Sequence, residues 1–391
     1  MMDSSDIVVS DEDALRPTRV EVDLDVLSAN LRSIKDHVGQ ARVMVILKAN
    51  AYGHGLVPVA RHMARLGVDG IGVAFLEEAI QLRQAGVQIP ILVFGGITEK
   101  QMPLFLDHHL MLTVPSVEKL GYIEAAAAAR GVRARVHLKV DTGMERIGIH
   151  YYSAQHLLEA SLRCRHIQVE GIYSHFANAD SADLSHARLQ VERFLEVLSF
   201  YDQRSLPMPV RHIANSAGIL QLPESHLDMV RPGILLYGVY PGEETARTVA
   251  VTPALTWKSR VVFFKVLQPG HPVSYGSTWQ SDHPVRVITI PAGYGDGYTR
   301  ALSNRAEVIV RGRRYPVVGR VCMDQMMVCL DQGTAYNGDE VILLGADAES
   351  GLRISAADLA TWAGTIPYEV LTAINSRVPR LYRNGLCPDA S

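Results

Sequence analysis

The chain has 391 residues, 48% of them hydrophobic and 20% charged, with 38 Lys and Arg against 41 Asp and Glu and a formal net charge of -3. That balance belongs to an ordinary folded protein long enough for one large barrel plus a smaller domain. It argues against a nucleic-acid or anionic-membrane partner, both of which favour a clustered basic surface, so a small-molecule substrate is expected.

The first six residues, Met1 to Asp6, are acidic and lack the basic and apolar regions of a signal peptide. No run approaches the length of a membrane span, so a cytoplasmic location is expected. Cys164, Cys322, Cys329 and Cys387 form neither a CxxC pair nor a zinc-type spacing, and reduced thiols with no metal site are expected.

In chain order, residues 1–16 are polar and without periodicity and read as a mobile tail. Residues 17–245 alternate short apolar runs with helical patterns. The runs are Val43–Leu47, Gly70–Ala74, Ile89–Phe94, Leu110–Val114, Ala134–Val140, Val169–Ser174, Arg211–Ala214 and Met229–Gly233. In 183–201, Leu184, Ala187, Val191, Phe194, Leu195 and Leu198 recur at helical spacing and read as core. Eight strands with helices between them predict a (β/α)8 barrel of the TIM type, with a doubly wound open sheet as the alternative.

From 246 to 391 the pattern changes to strands without regular helices between them: Trp257–Val266, Val285–Ile290, Ala306–Val310, Tyr315–Val318, Val321–Leu330 and Glu340–Leu344. Arg311-Gly312-Arg313 reads as a hairpin turn, and one helix is expected near Ala356–Gly364. This part is expected to be a mainly antiparallel β-domain.

The polar residues with chemical potential fall at predicted strand exits, where α/β proteins carry their sites. Lys48 follows the first run, Lys139 and Asp141 lie on the fifth, His175 follows the sixth, Asn215 and Ser216 the seventh, and Arg231 and Gly233 the eighth. A lysine that only caps its strand and reaches water is the plain alternative for Lys48. A desolvated lysine can instead form a Schiff base with an aldehyde substrate or with pyridoxal phosphate. Ser216, the amides around Gly233 and Ile234, and the Tyr52 hydroxyl are suitable phosphate donors, which favours the phosphorylated cofactor.

At this point the motifs carry a resemblance. Lys48-Ala49-Asn50-Ala51-Tyr52-Gly53-His54-Gly55, the run Lys139 to Gly148, Ser174-His175-Phe176-Ala177, Ala214-Asn215-Ser216-Ala217 and Arg231-Pro232-Gly233-Ile234 occur in that order. The C-terminal part adds Val273-Ser274-Tyr275-Gly276, Gly293 to Tyr298, Gly319 to Gln325 and Thr365-Ile366-Pro367-Tyr368. Together, from about Pro17 to about Arg383, the chain resembles the bacterial alanine racemases, a pyridoxal-phosphate-dependent family of barrel-plus-β-domain type.

The resemblance implies that Lys48 holds pyridoxal 5'-phosphate and acts as base on one face of the substrate α-carbon. Tyr275 would act on the other face, with His175 and then Arg231 behind its phenol. Inverting a planar carbon needs a proton group on each face, which is the physical reason for two bases. Arg231 would face the pyridine nitrogen and, as a pure donor, keep it unprotonated. Tyr52, Asn215, Ser216, Gly233, Ile234 and Tyr368 would hold the cofactor. Arg146 would bind the substrate carboxylate near the Met323 backbone, oriented by a carbamate on Lys139 or, in its absence, by chloride or a buried acid, and Tyr294 would line a narrow entrance with Tyr275 and Tyr368.

The resemblance further implies a homodimer whose active sites are shared between subunits, with L- and D-alanine as substrates and a role in supplying D-alanine for peptidoglycan. Trp279 stands where a smaller aromatic is expected, and Asn178 is a second departure; both are expected near the entrance. The alternatives are a racemase of broader specificity and a non-catalytic pyridoxal-phosphate carrier. A carrier leaves the β-domain unexplained, and a decarboxylase on the same plan calls for an acid in place of Arg231.

Overall fold

The computed structural model describes residues 16–385. The expected tail and Cys387 therefore lie outside the described residues, apart from Arg16. The described residues form two compact units: one comprises residues 16–26, Tyr52–His54 and residues 253–385, the other Leu27–Ala51 with Gly55–Thr252.

The second unit is the barrel. Its strands run Met229–Val230, Arg42–Ile46, Gly70–Val73, Ile91–Val93, Met111–Val114, Ala134–Asp141, Ile167–Tyr173 and Val210–His212, each parallel to the next. The two ends of this series meet through Asp228 N donating to Arg211 O at 3.2 Å and Arg231 N to Ala214 O at 2.9 Å, which closes the ring. All eight expected runs are strands here. Parallel barrel strands are covered on both faces and so read as continuous apolar runs, and Val43, Met44, Val45 and Leu47 are indeed buried. In the helix Ser185–Gln203, Ala187, Val191, Phe194 and Leu198 are buried as expected, whereas Leu195 is exposed.

The first unit is a mainly antiparallel sheet in the order Phe263–Leu267, Val285–Ile290, Met326–Asp331, Arg313–Val318, Glu307–Val310, Glu340–Ala346, Leu255–Arg260, Arg19–Asp23 and Arg380–Arg383; a short strand, Arg353–Ile354, pairs with Glu340–Ala346. The expected hairpin is present: Val310 pairs with Arg313 across Arg311 and Gly312, both at positive φ.

Three expectations need correction. Trp257–Val266 is two strands, because Val261 N turns to Asp339 O and Val262 N to Thr289 O, so the chain changes partners there. Val321–Leu330 is a strand only from Met326, since Cys322 N and Gln325 O close a loop before it. Finally Arg19–Asp23, inside the range read as barrel, pairs with Leu255–Arg260 in the β-unit.

Candidate active site

Strand Arg42–Ile46 leads directly to Lys48, and the next four residues, Ala49, Asn50, Ala51 and Tyr52, all have φ between 51 and 56°. This is a left-handed turn built without glycine, costing about 1–2 kcal/mol per residue. The bonds that hold it are specific. Ala51 N donates to Leu47 O, Gly55 N to Asn50 O, and Leu56 N to the Asn50 side-chain oxygen at 2.8 Å, while Ala49 N donates to Glu78 Oε1 at 2.7 Å. At Gly53 a Cβ would lie 2.2 Å from the Leu371 carbonyl oxygen, so no side chain fits. We expect Asn50→Ala to lower stability by about 1–2 kcal/mol, because it removes both the bond to Leu56 and the residue type most tolerant of this conformation after glycine. Chemical denaturation measures it; an unchanged midpoint would show that Asn50 does not hold the turn.

Lys48 is exposed at the strand exit, yet its amine pKa is lowered, by desolvation first and by the charge of Arg146 second, with Glu78 opposing. Beside it the barrel gathers cations. Arg231 is buried, and it donates to His212 Nδ1 at 2.8 Å, Ser174 O at 2.9 Å, Ile213 O at 3.2 Å and His175 Nδ1 at 3.3 Å. Burial lowers its pKa to about 10, so it stays protonated at neutral pH. Burial, followed by Arg231 and Lys139, holds His175 well below the usual histidine range, and its ring is neutral.

Lys139 is buried with its ammonium 5.1 Å from the centre of the Tyr173 ring and donates to Val140 O at 2.9 Å. Burial and Arg231 lower its pKa to about 7 against the pull of Asp141. Asp141 holds the loop that carries Arg146, accepting from the amides of Gly143, Met144 and Arg146 at 2.8, 2.9 and 3.2 Å. Burial disfavours its charge, but the backbone amides of Gly143, Glu145 and Met144, with Lys139, outweigh it and its pKa falls.

A second cluster in the barrel unit is a set of donors. Asn215 caps the helix Ser216–Gln221, its side chain accepting from Gly218 N at 2.9 Å. Ser216 is buried, and its Oγ accepts from Gly233 N at 2.9 Å and Leu235 N at 3.3 Å. Two amides occupy the oxygen as acceptor, which leaves its proton to be donated elsewhere. The first-turn amides of the helix and the Ile234 amide face no intrahelical acceptor.

The β-unit carries the other expected residues. Tyr275 is 71% exposed on the turn Tyr275–Ser277, which Ser274 anchors by donating its hydroxyl to Arg320 O at 2.7 Å. Tyr294 N and Gly295 N donate to the carbonyls of Cys322 and Met323, and Arg377 also bonds Met323 O, so Tyr294 and Met323 belong to one braced loop pair. The rings of Tyr52 and Tyr368 lie 6.1 Å apart, and burial raises the Tyr52 pKa. Trp279, four residues after Tyr275, packs against the cluster of Val273, Val285, Val287, Val318 and Cys329.

Four residues at the site were not found by reading the sequence. Glu78 ties Ala49, Ala74 and Phe75 amides together, and its position in the first turn of Leu76–Gln84 was the available signal. Gln190, fully buried on the apolar face of its helix, joins His175 O, Ala177 N and Thr142 Oγ1. His137 and His212 sit inside runs that read as plain strand.

An activated lysine, a buried arginine and a donor cluster at the C-terminal rim of a parallel barrel, carried in one chain with an antiparallel β-unit, define an enzyme of the barrel-plus-β-domain class. The comparisons specify it. The model of the alanine racemase N-terminal domain matches residues 22–241 and that of the C-terminal domain residues 254–382. The alanine racemase of Carboxydothermus hydrogenoformans is 43% identical over 371 residues, covering 94% of this chain and all of that protein. Among solved structures, alanine racemase from D-cycloserine-producing Streptomyces lavendulae superposes with a TM-score of 0.91 at 37% identity, covering 95% and 98% of the two chains. Alanine racemase from Bartonella henselae, with covalently bound pyridoxal phosphate, gives 0.85 at 28% identity, covering 94% and 100%. The chain belongs to the alanine racemase family, whose members are pyridoxal-phosphate-dependent isomerases.

Proposed function

We propose that this protein interconverts L- and D-alanine with pyridoxal 5'-phosphate, as a cytoplasmic homodimer in which Tyr275 of one subunit serves Lys48 of its partner. The observation that carries the reading is the Arg231 guanidinium, buried with only neutral acceptors in the same barrel unit whose strand Arg42–Ile46 leads to Lys48. The residues fit the cofactor. None of the Arg231 bonds described uses its Nε–H, and among the described residues no carboxylate bonds this guanidinium, so a donor remains for the ring nitrogen. Ser216, the Ile234 amide, Asn215, Tyr52 and Tyr368 would hold the cofactor, while the Gly233 amide, expected to do so as well, is donated to Ser216 Oγ and supports that hydroxyl instead. When bound, the cofactor withdraws electrons from the substrate α-carbon and so acidifies its C–H.

The side chains then divide the work. Lys48 holds the cofactor and moves a proton on one face of the α-carbon, and desolvation, which lowers its pKa, favours the neutral amine that this needs. Tyr275 moves the proton on the opposite face, with His175 and Arg231 behind it. Arg146 pairs with the substrate carboxylate beside the Met323 backbone. A pKa near 7 gives Lys139 the neutral amine that can add to carbon dioxide and release a proton, and the resulting carbamate would orient Arg146. Tyr275, Tyr294 and Tyr368 would restrict the entrance to a small side chain. D-Alanine produced in this way would supply peptidoglycan.

Incubating the protein with pyridoxal phosphate and alanine in deuterium oxide tests the reading, with chiral chromatography and mass analysis. Interconversion of the enantiomers with deuterium at the α-carbon is expected. Bound cofactor without exchange would instead support a carrier, and faster turnover of serine than of alanine a broader racemase.

A further inference from the structure

The guanidinium of Arg231 is supported from inside the barrel by a chain of side chains. Its Nη1 donates to His212 Nδ1 at 2.8 Å, and His212 Nε2 lies 2.8 Å from His137 Nδ1. Both imidazoles are buried, His212 at 0% and His137 at 3% exposure. Arginine can only donate, so His212 must present a lone pair at Nδ1 and, as a neutral ring, carry its proton on Nε2. That proton can go only to His137 Nδ1, which places the proton of His137 on its own Nε2. The tautomers are fixed in series by one arginine.

The surroundings are shaped for this pair. Tyr173 stacks on His212 at 4.8 Å with a 6° interplanar angle, and its hydroxyl is held by Thr113 Oγ1 at 2.8 Å, which itself donates to Val93 O at 2.7 Å. Room for His137 comes from Gly171, where a Cβ would lie 2.3 Å from His137 Nδ1, and from a shift in strand register between Val136 and His137. Burial, followed by the nearby Arg135 and Arg231 charges, lowers the His137 pKa to about 3, and burial with Arg231 puts His212 well below its usual value. Both rings are therefore uncharged at neutral pH.

A carboxylate behind Arg231 could hold the same orientation, but its negative charge would offset that of the guanidinium. Two neutral imidazoles orient the group and leave its charge intact. We propose that His212 and His137 are positioning residues: in series they fix Arg231 as a fully charged, donor-only group toward the cofactor ring and thereby set the balance between racemisation and abortive amino transfer. This rests on the proposed function.

The test uses His137→Phe, which keeps ring volume beside Gly171 and removes the acceptor for His212 Nε2–H. Nitrogen-15 NMR of histidine-labelled protein without cofactor is expected to find His212 protonated at Nε2 alone in the wild type. A wild-type His212 protonated at Nδ1 overturns the proposal whether or not the protein racemises alanine, so this failure is distinct from failure of the functional reading.

In the holoenzyme, H137F is expected to bind pyridoxal phosphate within about threefold of wild type and to keep KM within about twofold. Its kcat should fall about tenfold, and pyridoxamine phosphate formed per racemisation should rise about tenfold. His137→Gln, whose side-chain oxygen can accept from His212, should restore both. A folded H137F with wild-type kcat and wild-type amino-transfer ratio would reduce the pair to core packing. Should H137F not fold, His212→Leu and His212→Gln replace it, with the rise expected in H212L alone.

Discussion

Tyr275→Phe is expected to abolish interconversion of the alanine enantiomers while one of them, and only one, still exchanges its α-hydrogen with solvent. With a base on each face of a planar α-carbon, either enantiomer can lose its proton and regain one from the far side. Removing the phenol leaves Lys48, which can remove and return a proton on its own face but cannot supply the other. Loss of a positioned proton-transfer group costs about 10²–10⁴-fold, so racemisation should fall by that factor and single-face exchange by much less.

The substitution is mild for the fold, since Tyr275 is 71% exposed and its turn is held by Ser274 and Arg320 rather than by the phenol. Thermal unfolding should stay close to wild type. On the proposed function, Lys48→Ala should instead lose exchange for both enantiomers, because it would remove the cofactor anchor and a base together. If Y275F exchanged both enantiomers at similar rates, Tyr275 would not be the second base.

The parts of the molecule visible in the sequence are those whose physics is local. Strand Arg42–Ile46 is buried on both faces and announces itself as Val43-Met44-Val45-Ile46, and the hairpin at Arg311 and Gly312 follows from two residues that must take positive φ. Arg19–Asp23 did not read as a β-unit strand because everything that makes it one is remote: Val20 pairs with Trp257 on one side and with Arg380 on the other, and Glu21 is ion-paired to Lys258 and Arg383.

The candidate site divides in the same way. Lys48, Arg146, Ser216 and Arg231 stand in contiguous motifs at strand exits. Glu78, Gln190, His137 and His212 act on groups far along the chain, such as the Ala49 amide 29 residues from Glu78 and Arg231 19 residues from His212. A buried histidine inside an apolar strand is indistinguishable in sequence from a satisfied core residue; only its partner identifies it. The left-handed turn after Lys48 was hidden for a related reason. Its alanines have no intrinsic preference for that conformation, and tertiary bonds impose it.

Arg231→Glu is expected to destabilise the protein and to redirect its chemistry, and the two effects have different causes. Every group that Arg231 now bonds is an acceptor: the carbonyls of Ser174 and Ile213 and the Nδ1 atoms of His212 and His175. A carboxylate there meets lone pairs with lone pairs, in a buried place. The loss should be about 3–5 kcal/mol at pH 8, the scale for leaving a buried charged network uncompensated.

The sign of its pH dependence follows from the same groups. The Arg231 charge is among the causes that lower the pKa values of His137, His175, His212 and Lys139, so removing it raises all four, while burial raises that of the new carboxyl. The variant's folded state then binds more protons than the wild-type folded state near neutrality. Its stability deficit should therefore shrink as the pH falls from 8 toward 6, which denaturation at the two pH values measures.

The second effect concerns the cofactor. With Arg231 placed against the ring nitrogen as proposed, a carboxyl group there could accept or donate, so that nitrogen could be protonated, and a protonated ring would withdraw electrons more strongly from the α-carbon. Longer persistence of the planar carbon gives protonation at the cofactor carbon more opportunity. Pyridoxamine phosphate formed per racemisation should rise by about tenfold or more, while racemisation itself falls. Arg231→Lys, which keeps the charge with fewer donors, should lose activity without that rise. An unchanged ratio in a folded, cofactor-loaded R231E would mean that the state of the ring nitrogen is not under the control of this residue.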